Sequence, residues 1–154
     1  MKTCGFTLLE TIIVLAIMTM FFAVSIPLFT KFTENAKLET ATRSVVSALR
    51  TARVYAIANN IEYYVVFDKQ TDPNRHMYFV SQDSINPVEK KDKLPVGVSF
   101  GALPGGGATY NAGFKATGEF NTTLPDITIT LTHTGGSDTK TITIERTTGR
   151  AKIQ

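Results

Sequence analysis

One uncharged apolar run near the start of the chain limits what it can fold into. Residues 11–30 contain no Asp, Glu, Lys or Arg and are rich in Ile, Leu, Val, Met and Phe. At about 1.5 Å of rise per residue, a helix over this run is roughly 30 Å long, which is the thickness of the hydrocarbon core of a bilayer. The sequence therefore predicts a transmembrane helix that anchors the chain in a membrane.

A single carboxylate, that of Glu10, directly precedes this run, and a short leader with Lys2 precedes the carboxylate. A secretory signal is cleaved after its apolar segment, whereas cleavage after Gly5 would keep the apolar segment and create a new amine at Phe6. An unpaired carboxylate near the end of a membrane span is costly, so we interpret Glu10 as a candidate functional residue. The alternative is a Glu side chain that extends to the lipid headgroups.

Residues 5–10, with the sequence GFTLLE, resemble the processing site of type IV prepilins and type II secretion pseudopilins. The resemblance implies that a prepilin peptidase cleaves between Gly5 and Phe6 and N-methylates Phe6. It also implies that Glu10 neutralises the Phe6 amine of a neighbouring subunit. Such pairing explains why an ion persists at this depth, because its partner arrives with assembly.

A long helix is predicted to continue beyond the apolar run. Pro27 removes one backbone donor and clashes with the carbonyl of the preceding turn, so we expect a bend there. No Gly or Pro occurs between residues 28 and 60, and we expect one helix from Phe6 to about Asn59. Its second half has one apolar face at spacings of three and four residues, formed by Leu38, Ala41, Val45, Leu49, Ala52 and Ala56.

From Glu62 onward the pattern changes to short β-rich runs: residues 63–67, 77–80, 96–100, 110–114, 127–131 and 141–144. The last two alternate apolar residues with Thr on either side of Gly135-Gly136, which predicts a hairpin with one apolar face. Residues 68–75 and 87–93 are predicted to be surface loops, and 104–107 a flexible turn. The fold class is therefore α+β, with a long helix packed on an antiparallel β-rich domain.

The domain organisation follows from these patterns. We predict a leader at residues 1–5, a transmembrane half-helix at 6–30, an amphipathic half-helix at 31–60 and a β-rich domain at 61–154. Residues 31–154 are expected to form one globular unit, because about 120 residues are enough for one core but not for two.

Charge and cysteine content narrow the possible partners. The formal net charge of +3 is too balanced to predict a polyanion partner by itself. The single cysteine, Cys4, lies in the leader, so the mature protein would carry no thiol, disulfide or cysteine metal ligand.

Segments 49–53, 56–60, 113–118 and 149–153 are similar to the minor pseudopilin H and FimT-like minor pilin group (LRTAR, AIANN, GFKATG and GRAKI). The resemblance implies a pilin-like fold and a minor subunit near the tip of a type II secretion pseudopilus, which drives protein export. It implies a single-span inner-membrane protein with its C-terminal domain in the periplasm. The implied partners are other pilins or pseudopilins, the prepilin peptidase, the inner-membrane assembly platform and lipid. Helix packing would use Leu8, Leu9, Ile12, Ile13 and Ile17.

The alternative function is that of a FimT-like type IV pilus minor pilin, with or without DNA uptake. Some FimT-like pilins bind DNA through a Gly-Arg-x-Arg motif, and residues 149–152, GRAK, are close to it. Lys152 keeps the charge for a phosphate contact but loses the bidentate geometry of Arg. Arg150 and Arg146 complete the possible DNA-binding set. Otherwise, Arg150 and Lys152 are the solvated ends of a terminal strand, where they discourage edge pairing.

No pattern indicates catalysis, a cofactor or a metal. The two histidines, His76 and His133, lie outside any recognisable nucleophile motif. Asp68, Asp72 and Asn74 lack the spacing and the Gly of a calcium loop. The Gly-rich residues 105–107 are not followed by the Lys-Ser or Lys-Thr of a phosphate loop, and the glycosylation sequon at 121–123 is too short to carry weight.

Overall fold

The computed structural model describes residues 7–70, 76–83, 85–122, 126–133 and 138–154. The chain divides after Asn35 into two compact units, of which the second is Ala36–Gln154. The predicted cleavage and methylation site at Gly5 and Phe6 lies outside the described residues, as does the predicted turn at Gly135-Gly136.

Helix α1 runs from Leu8 to Asn59. Thr7 caps its first turn, since the Thr7 hydroxyl accepts a hydrogen bond from the Glu10 backbone N–H at 3.3 Å. Asn60, with φ of 55°, takes the left-handed conformation that commonly follows a helix end. The long predicted helix is thus confirmed over the described residues, while the bend at Pro27 stays a prediction.

The first unit exposes its apolar side chains. From Thr7 to Phe32 every described side chain is exposed, and the large apolar ones include Leu8, Leu9, Ile12, Ile13, Ile17, Phe21 and Phe22. Over the described residues, the structure contains no helix with the combination of length and apolar character that crossing a membrane requires.

The second half of α1 contributes one face to the core of the second unit. The residues of the predicted apolar face are all at most 2% exposed: Leu38, Ala41, Val45, Leu49, Ala52 and Ala56. Lys37, Arg43 and Arg50, which lie between them in sequence, are exposed. The predicted amphipathic face is therefore confirmed.

The rest of the second unit consists of two four-stranded sheets, both antiparallel. The first has the order β3-β2-β1-β5 and the second the order β4-β6-β7-β8. The strands are β1 (Tyr63–Asp68), β2 (Met77–Ser81), β3 (Asp92–Lys93), β4 (Val98–Phe100), β5 (Thr109–Phe114), β6 (Asp126–His133), β7 (Thr139–Glu145) and β8 (Ala151–Ile153).

Each predicted β-rich run contains a strand, two segments differ from the prediction, and β8 lies outside the predicted runs. Strand β3 lies inside the segment predicted as a surface loop, 87–93, because its two residues pair with Met77 and Tyr78 of β2. The segment predicted as a flexible turn holds a single 3-10 turn, Pro104–Gly106. Strand β8 matches the terminal strand considered above for Arg150 and Lys152.

The predicted hairpin is confirmed as β6 and β7, with Ile127 opposite Ile144 and Ile129 opposite Ile142. Its apolar face is buried, with all four of these side chains at most 2% exposed. The core joins both sheets to the helix.

A single carboxylate organises the loop after β2. Asp83 accepts hydrogen bonds from the backbone N–H groups of Ile85 and Asn86, at 3.0 and 2.7 Å. The Asn86 amide and the Ser81 hydroxyl also donate to it, at 2.6 and 3.0 Å. These donors favour the ionised form and hold the pKa of Asp83 well below its ordinary value.

This loop predicts a pH dependence of stability. Because the folded-state pKa of Asp83 is depressed, its contribution is present above the ordinary value of 3.8 and is lost as the pH falls below it. We expect Asp83→Asn to reduce the loss of stability between pH 7 and acidic pH, as measured by urea denaturation midpoints. Asp138→Asn, at an exposed position, is the control. An unchanged pH profile for Asp83→Asn would contradict the assignment.

Candidate functional site

Glu10 lies in the first turn of α1 and is exposed. Thr7 and Glu10 have the spacing of a capping box, in which the cap hydroxyl binds the backbone N–H of the Glu. A carboxylate is also favoured there by the partial positive charge of the helix N-terminus. The sequence analysis missed the helix cap at Thr7, although the Thr-x-x-Glu pattern was available to indicate it.

Three segments that are distant in sequence, 49–53, 113–118 and 149–153, meet around the side chain of Arg53. The Arg53 Nε donates a hydrogen bond to the Gly118 carbonyl at 3.0 Å. A Cβ placed on Gly149 would lie 2.3 Å from the same carbonyl and 3.2 Å from Arg53 Nε. We call Arg53, Gly118 and Gly149 the arginine junction; it joins α1, the turn after β5 and the turn before β8.

Both glycines of the junction are required by their backbone conformation. Gly118 has φ of 82° and Gly149 has φ of 61°, in the left-handed region that disfavours other residues. The Gly149 N–H donates to the Glu145 carbonyl at 2.8 Å and closes the turn between β7 and β8. A Cβ on Gly118 would come within 2.8 Å of the Ile57 side chain. The two turns therefore approach each other and α1 more closely than side chains would allow.

A cavity of about 500 Å³ lies beside the junction, between α1 and β8. Two of its apolar side chains, Val54 and Ile57, are 60% and 49% exposed. We call it the α1–β8 groove. Its lining residues are Arg50, Arg53, Val54 and Ile57 from the helix and Gly149, Arg150, Ala151 and Lys152 from the strand side.

The groove carries an excess of positive charge. Lys152 is paired with Glu145, and Glu145 also accepts a hydrogen bond from the Thr148 hydroxyl at 2.8 Å. These two donors, Lys152 first, lower the pKa of Glu145 and so favour its carboxylate form. Arg53 donates a hydrogen bond to a neutral carbonyl, and it forms no ion pair with the described residues. The exposed Arg50 and Arg150 add further positive charge.

The residues of the predicted DNA-binding set lie in or near one hairpin. Arg146 follows β7 and is exposed, and its carbonyl accepts a hydrogen bond from the Phe120 N–H at 2.9 Å. Arg150 and Lys152 flank Ala151 at β8. The pairing of Lys152 with Glu145 would have to be broken or shared for a phosphate contact. DNA binding by these residues stays a prediction.

The two histidines differ in their surroundings among the described residues. His76 Nδ1 accepts a hydrogen bond from the Phe100 N–H at 2.9 Å, and its ring stacks on Phe100. His133 Nδ1 is buried and has no partner among the described residues. Within the described part of the chain, no group of His, Cys, Asp and Glu side chains has the arrangement of a metal site.

Known structures share this fold. A crystal structure of the type IV minor pilin FimU from Pseudomonas aeruginosa is similar with a TM-score of 0.59 and 18% identity, over 80% of this chain and 90% of FimU. A second crystal form of FimU gives 0.57 and 15%, over 76% and 92%. The predicted pilin-like α+β fold is therefore confirmed. No protein-family model matches the chain, and no curated protein matches it by sequence.

Proposed function

We propose that this chain is a noncatalytic minor subunit of a filament built from pilin-like proteins. The observation that carries the proposal is an exposed apolar helix on a chain with the fold of a minor pilin. Burial of one Leu, Ile or Phe side chain is worth about 1.5–3 kcal/mol. The apolar side chains from Leu8 to Phe32 therefore favour packing against lipid or against the helices of other subunits.

We also propose that residues 6–30 anchor the chain in the inner membrane, with the C-terminal domain in the periplasm. The support is the uncharged sequence of residues 11–30, whose length suits a bilayer. Fractionation of cells that produce the full chain decides the point, because an anchored protein stays with the membranes after carbonate extraction.

In the assembled filament, Glu10 would fix the register between neighbouring subunits. Filaments of identical or related subunits grow by a heterologous interface, in which one surface meets a different surface of the next subunit. After cleavage at Gly5, the amine of Phe6 in one subunit would pair with the Glu10 carboxylate of its neighbour. An ion pair in an apolar environment is costly when one partner is missing, so it favours one register over the others.

This proposal predicts the behaviour of Glu10→Leu. We expect the variant to remain in the membrane fraction but to be depleted at least about tenfold from the isolated filament fraction, since loss of one buried partner costs about 3–5 kcal/mol. Quantitative immunoblotting of both fractions measures this. Incorporation at the wild-type level would sink the assembly role of Glu10.

Two controls separate pairing from helix capping and from general charge. Thr7→Ala removes the cap hydroxyl but keeps the carboxylate, and loss of a cap costs about 0.5–2 kcal/mol. Glu34→Leu removes a carboxylate elsewhere on α1. If Thr7→Ala is depleted as strongly as Glu10→Leu, capping rather than pairing explains the effect.

The narrower proposal is that the filament is a type II secretion pseudopilus. The support is the resemblance of segments 49–53, 56–60, 113–118 and 149–153 to the minor pseudopilin H and FimT-like minor pilin group. The alternative of a type IV pilus, with or without DNA uptake, is supported by the description of FimU as a type IV minor pilin. Deletion of the gene separates them, because the first predicts loss of exported proteins and the second predicts loss of surface pili or of transformation.

A further inference from the structure

Over the described residues, the α1–β8 groove borders an unpaired edge of the second sheet. Strand β8 is the last strand in the order β4-β6-β7-β8. The Glu145 N–H donates to the Arg150 carbonyl at 3.0 Å, and Thr141 and Gln154 exchange backbone hydrogen bonds at 3.2 and 2.8 Å. Antiparallel pairing alternates in direction along a strand, so the N–H and C=O groups of Ala151 and Ile153 point away from β7.

The opposite wall of the groove suits one face of an extended chain. Val54 and Ile57 of α1 present exposed apolar surface there. A strand added to β8 would direct alternate side chains to opposite faces. One set would cover Val54 and Ile57, and the other would lie near Arg150 and Lys152.

The net positive charge of the groove favours an acidic partner. With Lys152 balanced by Glu145, the side chains of Arg50, Arg53 and Arg150 leave a net positive site. A second copy of β8 would place Arg150 and Lys152 opposite like charges, which disfavours self-pairing. Pairing with an acidic strand would instead be favoured, because its carboxylates would be attracted to the same side chains.

We propose that the α1–β8 groove binds an extended, acidic segment of another filament subunit, which adds to β8 as a further strand. The inference rests on the proposed function for the identity of the partner as a subunit. The recognition chemistry is backbone hydrogen bonding to Ala151 and Ile153, apolar contact with Val54 and Ile57, and charge pairing with the arginines. In this arrangement Arg150 and Lys152 favour an acidic partner strand and disfavour the pairing of β8 with another copy of itself.

The test uses the full-length chain in detergent and a short fluorescein-labelled peptide of alternating Val and Asp. Fluorescence anisotropy measures binding. A Val and Lys peptide of the same length reverses the charge. Two Val and Asp peptides, N-methylated at one or the other set of alternate residues, remove the donors from one edge. We expect the unmodified acidic peptide to bind, and the Lys peptide and one of the methylated peptides to bind at least about tenfold more weakly.

Variants of the chain separate backbone pairing from charge alone. Ile153→Pro removes an outward-facing N–H without removing a donor to β7, and is expected to weaken peptide binding about tenfold. Its matched control, Ile153→Ala, keeps the N–H and should bind within about threefold of wild type. Arg150→Glu should weaken binding about tenfold, whereas Lys90→Glu, the same charge change in an exposed loop outside the groove, should not. Circular dichroism verifies that each variant is folded.

Three results would overturn the inference. The first is no binding of the acidic peptide to the wild-type chain. The second is equal affinity of Ile153→Pro and Ile153→Ala. The third is displacement of the peptide by duplex DNA together with binding that depends on Arg150 but not on position 153, which identifies a nucleic-acid surface. Incorporation of Glu10→Leu into filaments at the wild-type level would count against the assembly contact instead, and leaves the peptide result unaffected.

Discussion

Gly149→Ala is expected to lower the free energy of unfolding of the second unit by about 3 kcal/mol or more. An L-residue in the left-handed conformation of Gly149 costs about 1–2 kcal/mol. The added Cβ would also lie 2.3 Å from the Gly118 carbonyl, which is a backbone atom and cannot turn aside. Separation of the two turns would break the hydrogen bond from Arg53 to Gly118, and a buried group left unsatisfied costs about 1–3 kcal/mol.

Urea denaturation of the purified chain, followed by circular dichroism, measures this effect. Gly105→Ala is the matched control, because Gly105 also has a positive φ, of 82°, but a Cβ there meets no atom within 4 Å. We expect the control to lose only the conformational term of about 1–2 kcal/mol. Equal losses in the two variants would show that the close approach at the arginine junction contributes nothing.

Phe67→Ala is expected to cost about 3–5 kcal/mol, the usual range for a buried Phe replaced by Ala. The Phe67 side chain is fully buried in β1 of the first sheet. Its ring packs edge-on against that of Phe100 in the second sheet, with 5.3 Å between the ring centroids. It also stacks on Tyr110, at 6.4 Å. The substitution would leave a cavity at the contact between the two sheets.

The same denaturation assay provides the comparison. Ile85→Ala, at a side chain that is 73% exposed, should change the free energy of unfolding by no more than about 0.5 kcal/mol. A double-mutant cycle between Phe67→Ala and Phe100→Ala should give a nonadditive term, because neighbouring side chains share a cavity. A loss below 1 kcal/mol for Phe67→Ala would mean that the two sheets do not depend on this ring.

Much of the fold could be predicted because its signals are local. The apolar face of α1 repeats every three or four residues, and all of its predicted members are buried. The β6–β7 hairpin has strict alternation in both strands, so its register follows once one face is apolar. Strand β3 could not be predicted, because its two residues, Asp92 and Lys93, are both charged and show no alternation of apolar and polar side chains. They form a strand only because they pair with the edge of β2.

The candidate site could be predicted only as separate pieces. The segments containing Arg53, Gly118 and Gly149 stood out in the sequence, but nothing in their spacing indicated that they meet. Their approach depends on the path of two turns through left-handed glycines, which is a property of the folded chain. Likewise, the pairing of Lys152 with Glu145 depends on the register of β7 and β8, and it changes the charge that Lys152 offers to a partner.

The strand pairings also have a consequence for the rate and order of folding. Strand β1 pairs with β5, so Tyr63 must find Phe114, about 50 residues further along the chain. Local elements such as α1 and the β6–β7 hairpin form quickly, whereas long-range pairings must first meet the entropic cost of closing a large loop. During synthesis the N-terminal part of the chain emerges first, so one edge of β1 stays unpaired until residue 114 has emerged. During that interval the apolar strand β1 has an unpaired edge that is open to aggregation or to binding by a chaperone.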